Sequence, residues 1–273
     1  MHIPGFAGKY LGVFAKGLIT LIIILSSLGA LLAYIIGEGE SLSAIFGGNF
    51  VWWGVFFWSV GSLLIWLGIE KVQSIIKFVS IVAICLIIFI SFYLLRYFEP
   101  ANFVYVDFSN IFLPYGVILF AFSASNAVAE AHSLLPNEST KFKKAVMIGS
   151  SIPIVVYSIF ALGIVGLTGL GTSEVATIAV GNKLGNGFLV FGNLIAILAM
   201  FTCFVGLGIS LKQSLVWDYK INPILSLFLV ILPPLFLFLF GTHNFVEVLD
   251  IVGGVFIGIQ AIIMILIYWR AKK

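Results

Sequence analysis

Eight long apolar runs dominate this sequence, and they leave it few ways to fold. At 13–37, 50–69, 74–95, 111–134, 145–169, 186–211, 222–241 and 249–269 the chain holds stretches close to the roughly 20 apolar residues that cross a hydrocarbon core of about 30 Å. Inside lipid every backbone N–H and C=O must find a partner within the protein, so a spanning segment is a helix or a strand of a closed barrel. These runs are continuous and lack the alternation of outer-membrane strands. The sequence therefore predicts an all-α, polytopic membrane protein with eight transmembrane helices in a single domain, 1–273. With 62% hydrophobic and only 9% charged residues, an ordinary soluble domain, about 25% charged, is excluded.

Orientation follows from the basic residues, which are retained on the cytoplasmic side. With the N-terminus inside, the inner segments hold Lys9, Lys16, Lys71, Lys77, Lys141, Lys143, Lys144, Lys212, Lys220, Arg270, Lys272 and Lys273, twelve of the 14. The outer segments hold Arg96 and Lys183 and collect Glu38, Glu40, Glu99, Asp107, Glu174, Glu247 and Asp250. Both termini are thus expected in the cytoplasm, with the protein in the cell membrane. The first apolar run follows MHIPGFAGKYLGVFAKG without a cleavage signature, so it is expected to stay as a span. Because the basic residues are spread over separate loops, the net charge of +3 is a topological signal and gives no nucleic-acid footprint.

Enzyme chemistry finds no footing either. His2, His132 and His243 fall on different sides of the membrane, which leaves no nucleophile, base or metal cluster to assemble. Cys85 and Cys203 lie inside apolar runs without partner spacing, so neither a disulfide framework nor a zinc site is supported. No cofactor is implied.

The run at 111–134 departs most from a plain span. After LPYGVILFA it breaks at Phe122, Ser123, Ala124, Ser125 and Asn126, and then carries Glu130. Small polar residues at mid-span point to a helix that unwinds, which lipid forbids unless the freed backbone lines a cavity or is covered by protein. Ser123, Asn126 and Glu130 would share a face even in a regular helix. Glu130 admits two placements, inside the cavity or at the cytoplasmic headgroups beside His132.

Other runs carry weaker signals. Ser26, Ala30, Ala33 and Gly37 form a small-residue stripe suited to close helix packing, with Ser27 and Tyr34 placed to face a cavity. Trp52, Trp53, Trp58 and Trp66 suit interfacial anchoring. Gln73, Lys77, Ser80 and Ser91 fall within an arc of about 60° on a regular helix and predict an inward polar stripe. Lys77 can either snorkel to the interface or line a coupling site. Thr202, Gly206 and Ser210 are spaced by four and stack; their hydroxyls suit an alkali cation or a proton-linked water, or a bond to their own helix carbonyls. In the outer segment GTSEVATIAVGN, Thr172 is a candidate helix cap.

Four stretches together resemble the amino acid/polyamine/organocation transporter superfamily, in particular its permeases of the aromatic amino acid and auxin type. They are LPYGVILFAFSASNAVAEAH (113–132), GALLAYIIGEGE (29–40), GIEKVQSIIKF (68–78) and FVEVLDIVGGVFIGIQAIIMILIYWRAKK (245–273). Ala129 stands where that family carries proline. The resemblance implies an inverted-repeat, leucine-transporter-like fold with substrate bound near the midplane between discontinuous helices. Aligned on the break, the fourth run is the family's sixth helix, so 1–110 is expected to be a first repeat of three helices lacking two, and 111–273 a second repeat of five.

The function so implied is secondary active transport of an amino acid by alternating access, with proton symport expected over sodium. Phe122, Ser123, Ala124, Ser125 and Asn126, with Ser27 and Tyr34, are the candidate substrate residues. Lys77, Glu130, Thr202, Gly206 and Ser210 are the candidate coupling residues. The alternative is a non-transporting subunit that packs with another permease chain, and an oligomer stays open. Alanine at Lys77 is expected to abolish gradient-driven uptake in proteoliposomes; unchanged accumulation would rule that role out.

Overall fold

A computed structural model of the chain describes residues 3–104, 108, 112–123, 139–217 and 219–272. Among them there is no strand. The helices are α1 (Ile3–Leu11), α2 (Val13–Phe46), α3 (Phe50–Leu67), α4 (Ile69–Leu94), α5 (Leu113–Ala121), α6 (Ser139–Thr168), α7 (Ala176–Leu184), α8 (Asn186–Trp217), α9 (Pro223–Leu239), α10 (Phe245–Asp250) and α11 (Gly258–Lys272). A π-helical stretch, Ile251–Ile257, joins the last two. Six helical segments, Val13–Phe46, Phe50–Leu67, Ile76–Tyr97, Thr140–Gly171, Asn186–Trp217 and Phe245–Lys272, are long and apolar enough to cross a membrane. Pro223–Leu239 is apolar but shorter, and the run at 111–134 is described only as far as Ser123.

Two compact units result, one of Met1–Ser26, Asp107–Ser158 and Leu249–Lys273, the other of Ser27–Val106 and Ile159–Val248. In the first, α1 packs on α11 around Ala7, Ile19, Ile22 and Ile263. There α5 meets the π-helical stretch at a glycine pair: a side chain at Gly253 would collide with the Gly116 carbonyl, and one at Gly116 with Asp250. Backbones can approach this closely only where both helices lack a Cβ, the usual device when lipid supplies no drive for helices to associate.

The second unit is built on α3, α4, α8 and α9. One of its apolar clusters joins Ile90 and Leu94 of α4 to Ile164, Leu167, Val180 and Ile195. Along α3, Gly54 and Gly61 are notches for two fully buried rings. A Cβ at Gly54 would lie 2.5 Å from Phe238 of α9, and one at Gly61 2.5 Å from Phe204 of α8. The ends of α3 are closed separately. Asn49 accepts from the Val51 N–H at 2.9 Å, and the Lys212 ammonium donates to the carbonyls of Ile65 and Trp66 at 3.1 and 3.4 Å. A cation on a helix C-terminus satisfies orphan carbonyls and opposes the helix dipole.

The predicted small-residue stripe is buried: Ser26, Ala30, Ala33 and Gly37 are all covered, Gly37 against Met200 and Phe245. The end of that span differs from expectation. Glu38 and Glu40 were expected in an outer loop; instead α2 continues to Phe46, and Glu38 is completely buried. Hydropathy locates where lipid could cover a helix, whereas this last stretch is covered by protein, with Gly39 seated on the Phe50 carbonyl and Gly54. Thr172 does not open α7, which Val175 precedes; it closes the C-terminal end of the 3-10 turn Gly169–Gly171, its N–H and hydroxyl both donating to the Gly169 carbonyl.

Substituting leucine for Gly61 should lower thermal stability in detergent by about 1–3 kcal/mol, the usual cost of overpacking. Alanine at Gly149, where nothing lies within 4 Å of an added Cβ, is the control and should not destabilise; equal effects at both sites would contradict this packing.

Candidate substrate and coupling sites

The helix that opens the anomalous run begins with Pro114 in its first turn, where proline costs no hydrogen bond. It ends at Ala121. Phe122 leaves the helical geometry, its N–H still donating to Ile118 at 3.1 Å, and the Ser123 N–H turns back to Phe120 at 3.1 Å. The break thus starts at the residue where small polar side chains begin. Phe122 packs its ring on Tyr157 at 5.6 Å between centroids, and Ser123 is exposed. Ala124, Ser125, Asn126 and Glu130 lie outside the described residues, as does Asp107.

The remaining candidates belong to the second unit. Ser27 is buried and Tyr34 half-buried on α2. Tyr34 and Thr202 both come within hydrogen-bonding reach of the Cys203 thiol, so one candidate substrate residue and one candidate coupling residue share a neighbour. The Thr202 hydroxyl donates to its own helix at Ala199, 2.9 Å away. Gly206 is half-buried with open space over its Cα, and Ser210 is exposed. Of the predicted inward stripe on α4, Gln73 lies outside the residues whose side chains are described; Ser91 is buried, bonded to Ile87 at 2.6 Å, Ser80 is half-buried and Lys77 exposed. Among the described residues the stripe therefore does not face inward along its whole length.

The sequence model of the tryptophan/tyrosine permease family matches residues 2–273. The chain belongs to the tryptophan/tyrosine permease family. No curated protein and no solved structure matches it. The permease is an integral, multi-pass helical membrane protein of an amino acid transport family and not an enzyme.

Several polar groups of the permease escaped the sequence reading. Asn193 of α8, fully buried, accepts from the Thr177 hydroxyl of α7 at 3.0 Å and donates to Leu189 at 2.8 Å. Glu174 accepts from the backbone N–H groups of Phe245 and Val246, at 2.9 and 3.4 Å, where the start of α10 favours an anion. Glu38 and Ser41 are buried without a hydrogen-bond partner among the described residues. None of these was legible from spacing, because each depends on a partner or a cover from a distant part of the chain.

A cleft of about 310 Å³ lies in the second unit between Phe89, Ile90, Tyr93, Gly187, Phe188 and Phe191. Its lining is mostly aromatic and apolar, with the Tyr93 hydroxyl as its polar side chain.

Replacing Asn193 with alanine should destabilise the permease by about 1–3 kcal/mol, since the Thr177 hydroxyl then loses its buried acceptor. Thermal unfolding in detergent measures this, and an unchanged midpoint would show that Asn193 is not a structural tie.

Proposed function

We propose that this permease carries tryptophan or tyrosine across the cell membrane as a secondary transporter, by alternating access and with protons as the coupling ion. The observation that carries the reading is a family match over 2–273, on a chain whose α5 stops at Ala121, where its apolar run still continues. A helix end inside such a run leaves carbonyls without intrahelical partners. Those groups, with Phe122, Ser123, Ala124, Ser125 and Asn126, are the proposed holders of the substrate's polar end; Ser27 and Tyr34 are assigned to the same substrate.

The finer architecture is part of this proposal: eight spans, both termini cytoplasmic, and the inverted-repeat fold of the amino acid/polyamine/organocation superfamily, with its repeats divided near residue 110. Each compact unit draws segments from both sides of that residue, which supports interleaved repeats. Lys77, Glu130, Thr202, Gly206 and Ser210 are proposed to line the coupling path. Thr202 has the best claim among them, since it shares the Cys203 thiol with Tyr34.

Purified permease in proteoliposomes should accumulate labelled tryptophan or tyrosine when a proton gradient is imposed, and a protonophore should collapse the accumulation. A sodium gradient alone should not drive it. Uptake that follows sodium would overturn the choice of ion. Failure to move either amino acid, even in exchange, would overturn transport by this chain.

A further inference from the structure

The second half of α2 carries a polar face that the small-residue stripe does not explain. Ser27, Tyr34, Glu38 and Ser41 fall within an arc of about 60° at 100° per residue. Ser27 and Tyr34 have partners. Glu38 and Ser41, one turn apart, have none: both are fully covered, and both carboxylate oxygens and the serine hydroxyl lack a hydrogen bond among the described residues. Two adjacent orphaned polar groups are unusual, because each buried polar atom left unpaired costs about 1–3 kcal/mol.

Among the described residues, what surrounds Glu38 offers no counter-charge. Its turn of α2 is packed by α3 through Phe50 and Gly54, by α8 through Met200, and by Phe245 of α10. Helix α3 has no titratable side chain. On α8 the titratable groups are Cys203, which faces Tyr34, and Lys212, which is held on the carbonyls of Ile65 and Trp66. Those carbonyls lie about 22 Å along α3 from Phe50, at 1.5 Å per residue. The start of α10 contributes acids, Glu247 and the Glu174 carboxylate on the Phe245 N–H; Glu40 of α2 itself is a further acid. His243 stacks edge-on to Phe50 at 4.9 Å and bonds the Phe238 carbonyl at 2.8 Å. Among the described residues a carboxylate here would meet neither a cation nor an N–H, while a protonated carboxyl is neutral and fits.

We propose that Glu38 is the residue that carries the transported proton, with the Ser41 hydroxyl as its local partner when the site opens. The assignment rests on the proton-coupled transport reading above and names its coupling group. In the packed arrangement the carboxyl O–H stays intact. When α2, α3 and α8 part enough to admit water, the O–H bond breaks, the proton passes to water on the open side, and the carboxylate left behind is hydrated. Closure onto the packed arrangement then requires a proton back from water, so the carboxyl cannot return to its dry site empty. This obligation links proton movement to the conformational cycle, because protonation shifts the balance between open and closed forms.

The test compares wild type with Glu38→Gln and Glu38→Asp in proteoliposomes, reading both tyrosine exchange and the extra uptake produced by a proton gradient. The expected result is that E38Q loses all response to the gradient while E38D keeps it. A full gradient response in E38Q would overturn the role of Glu38 and leave proton symport standing. Exchange by wild type with no gradient response would overturn proton coupling, and the assignment with it. Infrared spectra of the purified protein provide an arm that needs no transport: a protonated-carboxyl C=O band should be present in wild type, shift in E38D and vanish in E38Q. A band unchanged in E38D, or no such band in wild type, would overturn the proposal even if E38Q does not fold.

Discussion

In a bilayer the backbone cannot borrow hydrogen bonds from water, and most features of this permease follow from that. Each long apolar run must be helix, and each place where helix stops inside such a run must be covered by protein or open on a cavity. The chain meets the requirement in recognisable ways. Asn49 and Lys212 close the two ends of α3, Asn222 accepts from the Ile224 N–H at the start of α9, and Glu174 takes the first N–H groups of α10. Against that background, the uncompensated carboxyl of Glu38 in the second unit stands out as a position where the same rule is left unfilled among the described residues.

Helix association then has to come from shape, since apolar side chains gain little by leaving lipid for one another. Gly54 and Gly61 receive Phe238 and Phe204, and Gly116 faces Gly253. Many large apolar side chains, among them Trp52 and Trp66 near opposite ends of α3, stay exposed, as expected of surfaces that lipid covers. Buried polar ties such as Thr177 with Asn193 add directionality to contacts that packing alone would leave free to slide.

Much of this could be read from the residues. Six of the eight expected spans were legible because the bilayer imposes a length and a composition on them, and the stripe Ser26, Ala30, Ala33 and Gly37 because small residues at offsets of three and four suit close helix packing in lipid. The start of the break at Phe122 was legible from Ser123 and Ala124 alone. The burial of Glu38 was not: it depends on Phe50, Met200 and Phe245, which hydropathy near residue 38 cannot foresee. Thr202 illustrates an intermediate case, since its spacing allowed both an ion site and a bond to its own helix, and the Ala199 carbonyl takes the hydroxyl. Lys212 could be sorted by charge only as a basic residue of an expected inner segment, and its work on the α3 carbonyls required the fold.

The central claim is that the chain beyond Ala121 leaves its helix to meet substrate. A cysteine placed at Ser123, in a background lacking Cys85 and Cys203, tests it through its rate of alkylation in proteoliposomes. Saturating tryptophan or tyrosine should slow that rate, at concentrations that also saturate transport. An alkylation rate unaffected by either amino acid, in a variant that still transports, would contradict the account.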